Sequence, residues 1–187
     1  VQLPLPHNVK HSVFNIIPPE KDVDLLSDRA VGSFFNGRSL IDPPTPAAII
    51  YILEKSNVDF RGKTIAVFGF GRLVGRFLTP MLIGRGATVI IIEKDTPPQA
   101  AMEFSLKADI IISAVGQPNL IKDNMVKDGA VVVDAGFSLI DNNIVGDVDF
   151  NSVKNKASLI TPVPGGVGPL TVALLFKNVV KLYENKR

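Results

Sequence analysis

From Gly62 onward the chain alternates unbroken apolar runs with stretches of helical character, and this alternation constrains the fold more than any other feature. The runs fall at residues 64–68 (TIAVF), 88–92 (TVIII), 109–115 (DIIISAV), 131–134 (VVVD) and 159–161 (LIT). Their apolar residues are consecutive rather than spaced by two, as expected of parallel strands covered on both faces. Apolar helices are expected over residues 73–83 and 170–183. Strand–helix alternation of this kind predicts a doubly wound α/β domain with a parallel sheet. Residues 1–44 differ: they are proline-rich at both ends and weakly periodic, with a short helix expected over 13–17 ahead of a PPEKDVD turn. Thr45-Pro46 reads as an N-cap and first-turn proline, opening a helix that Ile49, Ile50, Ile52 and Leu53 carry to about Lys55.

Composition removes several function classes. The 187 residues are 46% hydrophobic and 20% charged, enough to bury a sizeable core. A net charge of +2 with no basic stripe argues against nucleic acid as a partner. There is no cysteine, so disulfides and thiolate metal sites are excluded. No apolar run approaches the ~18 residues of a membrane span, and no secretory signal is visible, so the cytoplasm is the expected compartment. His7 and His11 fit neither a metal spacing nor a catalytic triad.

Two glycine-rich loops carry the chemistry. Gly69-Phe70-Gly71-Arg72-Leu73-Val74-Gly75 follows the first strand and opens a helix, with a G-x-G-x-x-x-G spacing one residue longer than the common dinucleotide fingerprint. The first glycines permit a tight turn and close approach of backbone, and the helix N-terminus offers N–H groups and positive dipole to a pyrophosphate. A Rossmann-type dinucleotide site is therefore expected at Gly69, Phe70, Gly71, Leu73, Val74 and Gly75. Glu93 ends the second strand 24 residues after Gly69, where a carboxylate accepts from the ribose hydroxyls of NAD and repels the 2′-phosphate of NADP. NAD is thus the preferred cofactor; Lys94 and Arg72 keep NADP possible. Gly116, after the third strand, and Ala135, after the fourth, supply small residues against the cofactor. The second loop, residues 162–171 (PVPGGVGPLT), holds three glycines and three prolines and leads from a strand into the last helix. Such a rigid loop, poor in side chains, reads as an active-site wall.

The PVPGGVGPLT loop resembles the C-terminal signature of the bifunctional methylenetetrahydrofolate dehydrogenase/methenyltetrahydrofolate cyclohydrolase family. VQLPLP at residues 1–6 is similar to that family's substrate-site motif. KDVD (21–24), Thr45-Pro46, Gly62-Lys63, GATV (86–89), Ala108-Asp109 and VGD (145–147) match in order between them. The resemblance covers essentially the whole chain. It implies residues 1–44 as the remainder of a folate-binding α/β catalytic domain, 45–58 as a connecting helix, 59–162 as the NAD(P) domain, and 163–187 as active-site loop and return helix. It also implies hydride transfer from 5,10-methylenetetrahydrofolate to NAD, giving the methenyl cation.

By the same resemblance Gln2 binds the catalytic lysine or the substrate, and Asp24 binds the amide and amino edge of the pterin, with solvated loop charges as the alternative for Asp22 and Asp24. Pro164, Gly165 and Gly166 face substrate, while Phe137 and Thr171 face the cofactor. The family's lysine lies in a Tyr-x-x-x-Lys motif upstream of VQLPLP; Lys10, Lys21 and Lys63 do not take its place. The chain is therefore read as a C-terminal fragment, an incomplete gene product, or numbering that hides an upstream segment, with cyclohydrolase activity to 10-formyltetrahydrofolate expected only where that upstream segment exists. Departures are visible. The family continues KDVDG, where this chain has Leu25-Leu26-Ser27-Asp28, and its usual cysteine is Pro44. Other readings are a dehydrogenase of amino or shikimate-like acids, or a non-catalytic NAD-binding protein. Exposed apolar surface along residues 1–44 and the last helix suggests self-association as a homodimer.

Overall fold

The structure is a computed structural model that describes residues 5–6 and 9–185; Gln2 and His7 lie outside them. Two compact units divide the chain, one of Val1–Pro44 with Val172–Arg187, the other of Thr45–Thr171.

The larger unit is built on a five-stranded sheet of β1 (Thr64–Phe68), β2 (Thr88–Ile92), β3 (Ile110–Ser113), β4 (Val131–Asp134) and β7 (Leu159–Ile160), in the order β2-β1-β3-β4-β7. Every pairing in it is parallel. The consecutive apolar residues act as expected where the strand is central: Ile110, Ile111 and Ile112 are all buried, as are Ile65, Ala66 and Val67. Each such isoleucine contributes roughly 2–3 kcal/mol of burial. β2 is one of the two edge strands, and its residues are mostly half-buried. The chain leaves β1 to form β2 on one side, then returns to form β3 on the other. The carboxyl ends of β1 and β3 therefore flank the switch point where open α/β sheets bind ligands.

The helices of this unit are α2 (Pro44–Lys55), α3 (Gly75–Ile83), α4 (Pro98–Lys107) and a short α5 (Phe150–Val153). Several boundaries differ from those expected. α2 starts at Pro44, so Thr45 sits within its first turn and is not its N-cap. Residues 72–74 form a turn and α3 begins at Gly75, because the glycine turn uses up the two residues before it. β3 stops at Ser113, where Ala114 and Val115 turn away, and α6 (Val167–Glu184) begins three residues before Leu170. α4 was not anticipated; it opens on Pro98, placed at the first helical turn. A separate antiparallel hairpin, β5 (Ser138–Ile140) and β6 (Asn143–Val145), turns through Asp141 and Asn142 at φ 49° and 63°. Both central residues have positive φ, the type I′ geometry that Asp and Asn tolerate best after glycine.

In the smaller unit, 3₁₀ turns at His11–Ile16 and Pro19–Lys21 precede α1 (Asp28–Phe35). Ser27 caps α1 by accepting from the Ala30 N–H at 3.2 Å. Asp22, for which a solvated loop charge was the alternative reading, is buried, and its carboxylate accepts from the Leu26 and Ser27 N–H groups at 2.9 and 2.8 Å. Leu25 takes φ 52°, at the position where the resembled family has glycine. The left-handed conformation costs about 1–2 kcal/mol for a non-glycine residue, which the full burial of the leucine side chain offsets. Asn178 of α6 donates to the Val23 and Asp42 carbonyls at 2.9 and 2.8 Å, tying the last helix to this unit's loops. The last helix does expose apolar side chains: Phe176 and Tyr183 are 66% and 61% accessible. Among the described residues no helix is long and apolar enough to cross a membrane.

Candidate functional site

The loops at the carboxyl edge of the parallel sheet build the site. Gly69 leaves β1 at φ 92°, and its N–H donates to the Ile92 carbonyl at 2.9 Å, locking the turn to the end of β2. A Cβ on Gly69 would lie 2.9 Å from Val115 Cγ1 and 3.1 Å from the Ala114 carbonyl oxygen, so the loops after β1 and β3 abut here. Gly75 opens α3 against the same turn; a Cβ on it would lie 2.1 Å from the Gly69 oxygen. Gly71 is different. Nothing lies within 4 Å of where its Cβ would stand, so this glycine faces open space rather than packed backbone. No side chain caps α3, whose N-terminus points into that turn.

Glu93 follows β2 and reaches across to the turn, its Oε1 accepting from the Phe70 N–H. The Glu93 N–H donates to Thr96 Oγ1 at 3.1 Å, and the Thr96 N–H returns to the Glu93 carbonyl at 2.9 Å, which fixes the carboxylate's own backbone. Gly69, Phe70, Gly71, Glu93 and Lys94 thus line one cleft of about 590 Å³. Its far wall is apolar, made by Pro98, Ala101 and Met102 of α4 with Leu120 and Met125. Those wall residues were not foreseen. Their only signal in the sequence is the proline pair 97–98 opening a short amphipathic stretch.

Gly116, at φ 67°, sits in the loop after β3, and its carbonyl accepts from Ser138 Oγ at 3.1 Å. The Ala135 N–H donates to the Ser113 carbonyl at 2.8 Å, carrying the β3–β4 ladder one step past the strands. Phe137 is 62% accessible. Leu73, Val74 and Gly75 support the turn without lining the cleft, and Gly116, Ala135 and Phe137 lie along the same sheet edge outside it. After β7 the loop carries a cis Val163–Pro164 bond and Gly165 at φ 111°. A Cβ on Gly166 would stand 2.6 Å from the Pro162 carbonyl, so residues 162–166 close on themselves as a tight loop. Thr171 Oγ1 donates to the Val167 carbonyl at 3.1 Å and lies 3.4 Å from Thr45 Oγ1.

Two buried carboxylates brace this edge, and neither was anticipated as more than part of a motif. Asp147 accepts from Ser113 Oγ and from the Val115 and Gln117 N–H groups, each at 2.8 Å. Asp134 accepts from the N–H groups of Gly136, Asp147 and Val148 at 2.8, 3.1 and 2.8 Å. Burial pushes the Asp134 carboxyl above its ordinary range, against the pull of those hydrogen bonds. In the smaller unit Asp24 is half-buried near Asp22; desolvation, then the neighbouring negative charge, pushes its carboxyl up to about 6. Lys10, Lys21 and Lys63 are exposed. Among the described residues no cluster of acids and imidazoles is suited to a metal ion.

The geometry has counterparts among known proteins. The family model for the tetrahydrofolate dehydrogenase/cyclohydrolase NAD(P)-binding domain matches residues 43–187. The bifunctional protein FolD of Hydrogenobaculum sp. (strain Y04AAS1) is 46% identical over 189 residues, covering 100% of this chain and 67% of the relative. Other curated FolD relatives are matched over 64–66% of their length, so the chain spans about two thirds of the proteins it matches. Among solved structures, the bifunctional FolD methylenetetrahydrofolate dehydrogenase/cyclohydrolase of Campylobacter jejuni superposes with a TM-score of 0.92 at 40% identity, covering 100% of this chain and 66% of that one. The Trypanosoma brucei methylenetetrahydrofolate dehydrogenase-cyclohydrolase, complexed with NADP and an inhibitor, gives 0.93 at 35% identity over 99% of this chain and 66% of that one.

Proposed function

Because this chain belongs to the tetrahydrofolate dehydrogenase/cyclohydrolase family, we propose that its larger unit holds NAD, in preference to NADP, for the oxidation of 5,10-methylenetetrahydrofolate to the 5,10-methenyl form. The observation that carries the cofactor reading is Glu93 leaning over the glycine turn of a mostly apolar cleft. The residues fit such a ligand. Gly71 leaves the space that a pyrophosphate needs above the turn, and the uncapped α3 terminus faces it. Ala101, Met102, Leu120 and Met125 form a slot suited to a flat heteroaromatic ring. Glu93 accepts from ribose hydroxyls at the mouth of that slot. A bound nicotinamide supplies the hydride acceptor; the chain's residues supply position and a water-poor wall. For the substrate, Asp24 of the smaller unit takes the pterin's amide and amino edge; in the larger unit, Pro164, Gly165 and Gly166 offer a surface of backbone to the same class of ligand.

Formation of NADH, followed at 340 nm, tests the activity. The expected result is turnover with methylenetetrahydrofolate and none with amino acids or shikimate-like acids. Turnover with an acid and none with the folate overturns the substrate reading, and NAD binding without any turnover favours a non-catalytic binding protein.

Asp24 gives a pH-dependent expectation. Its carboxyl keeps its proton in the folded chain between the ordinary 3.8 and about 6, where the unfolded chain has already lost it. Stability from this group is therefore complete below 3.8 and is lost as pH rises through about 6. Asp24→Asn is expected to raise stability at pH 7.5, by on the order of 2 kcal/mol, and to leave it unchanged near pH 3.5. Denaturant melts at the two pH values check this; an equal effect at both sinks the assignment. The same variant weakens folate binding if Asp24 serves the pterin.

A further inference from the structure

The Val145-Gly146-Asp147 segment is absorbed by no step above, yet its carboxylate accepts three hydrogen bonds at the sheet edge. Asp147 is fully buried. Its three donors, Ser113 Oγ and the Val115 and Gln117 N–H groups, lie 30–34 residues away in sequence, all in the segment that leaves β3. Val115 and Gln117 line the cleft, and Val115 Cγ1 is the atom that a Cβ on Gly69 would meet at 2.9 Å. Where residues 115–117 sit therefore decides how much room remains above the glycine turn.

A carboxylate is a costly way to fill an interior. Burying one costs several kcal/mol, which good hydrogen bonds do little more than offset. What it provides that an apolar group does not is simultaneous acceptance from N–H groups of a loop that belongs to no strand or helix. The surroundings are shaped to it. A Cβ on Gly136 would lie 2.2 Å from the Asp147 carboxyl carbon, and one on Gly146 would lie 2.1 Å from Asp134 Oδ2. Asp134, at the end of β4, holds the Asp147 and Val148 N–H groups in turn. A rigid strand end thus anchors Asp147, and Asp147 anchors the loop after the neighbouring strand.

We propose that Asp147 is a positioning residue for the dinucleotide: its buried carboxylate fixes the backbone of residues 115–117, so the cleft wall beside the glycine turn is built before the ligand arrives. This rests on the cofactor reading of that cleft. The test is titration of the chain with NAD and NADH, with amide hydrogen exchange measured on the same samples. Asp147→Asn keeps the volume but places an amide donor against an N–H, and is expected to weaken dinucleotide binding about tenfold or more. The Val115 and Gln117 amides are expected to exchange at least about tenfold faster, beyond any global change. Asp109→Asn serves as the control. Asp109 accepts from the Thr64 N–H at 3.0 Å and pairs with Lys127 at 2.6 Å at the opposite, amino-terminal edge of the sheet. That variant is expected to lose stability while keeping affinity within about twofold. Should Asp147→Asn not fold, Ser113→Ala removes one of the three donors and is expected to weaken binding about threefold to fivefold. An Asp147→Asn or Ser113→Ala chain that folds, binds NAD within twofold of the parent and keeps both amides protected overturns the proposal. Failure of the unsubstituted chain to bind either dinucleotide defeats the cofactor reading and this proposal with it, and is distinguished because it appears before any substitution is made.

Discussion

Gly75→Ala is expected to abolish dinucleotide binding, by more than about 100-fold, and to destabilise the larger unit by roughly 2–4 kcal/mol. The added methyl would stand 2.1 Å from the Gly69 carbonyl oxygen and 2.7 Å from the Phe70 Cα, both backbone atoms. A flexible side chain could swing aside, but this turn has no room to retreat. Gly69 is hydrogen-bonded to Ile92 on one side and pressed against Ala114 and Val115 on the other. The intrinsic gain of about 1 kcal/mol for alanine over glycine in a helix is too small to compensate. Gly71→Ala separates packing from binding. Its methyl meets nothing within 4 Å, so stability should change by less than about 0.5 kcal/mol while affinity falls, because the methyl enters the space over the turn. Thermal melts and ligand titrations of the two variants check both statements. Equal affinity loss without destabilisation in Gly75→Ala, or none in Gly71→Ala, contradicts this picture of the turn.

Glu93→Ser is expected to lower NAD affinity about tenfold and to bring NADP affinity close to that of NAD. Two like charges about 4 Å apart repel by roughly 4 kcal/mol at an effective dielectric of 20, and exposure to water and salt reduces this to a preference of about tenfold to a hundredfold. The carboxylate is held over the glycine turn by its contact with the Phe70 N–H and by the Glu93–Thr96 turn. Its removal takes away a hydroxyl acceptor and a repulsion together, so the two affinities move in opposite directions. Lys94, which lines the same cleft, then acts in favour of the phosphate. Glu93→Gln is the finer probe: it keeps an acceptor for the ribose, so NAD affinity should fall less while NADP still gains. Titrations at two ionic strengths check the electrostatic origin, since the discrimination should shrink as salt rises.

Much of the nucleotide unit was legible because its central strands are buried on both faces. Five apolar runs located β1, β2, β3, β4 and β7, and the glycine spacing located the turn. What stayed hidden was set by contacts between segments distant in sequence. Asp147 looks like any loop aspartate until β3 and the 145–148 segment are brought together, and Asp22 looks solvated until Leu26 and Ser27 turn back over it. α4 escaped notice because its cleft-facing residues, Pro98, Ala101 and Met102, are mixed with polar ones over a short span. The β5–β6 hairpin escaped because strands of three residues carry too little periodicity, although Asp141-Asn142 held the turn signal. The departure at Leu25 was visible, but its accommodation was not: only the structure shows a left-handed leucine whose side chain is buried.

The most direct test is equilibrium titration of the unsubstituted chain with NAD and with NADP at physiological ionic strength. Saturable binding of both, with NAD tighter by about tenfold or more, is the predicted result. Equal affinities, or tighter binding of NADP, would contradict the role given to Glu93 at the mouth of the cleft.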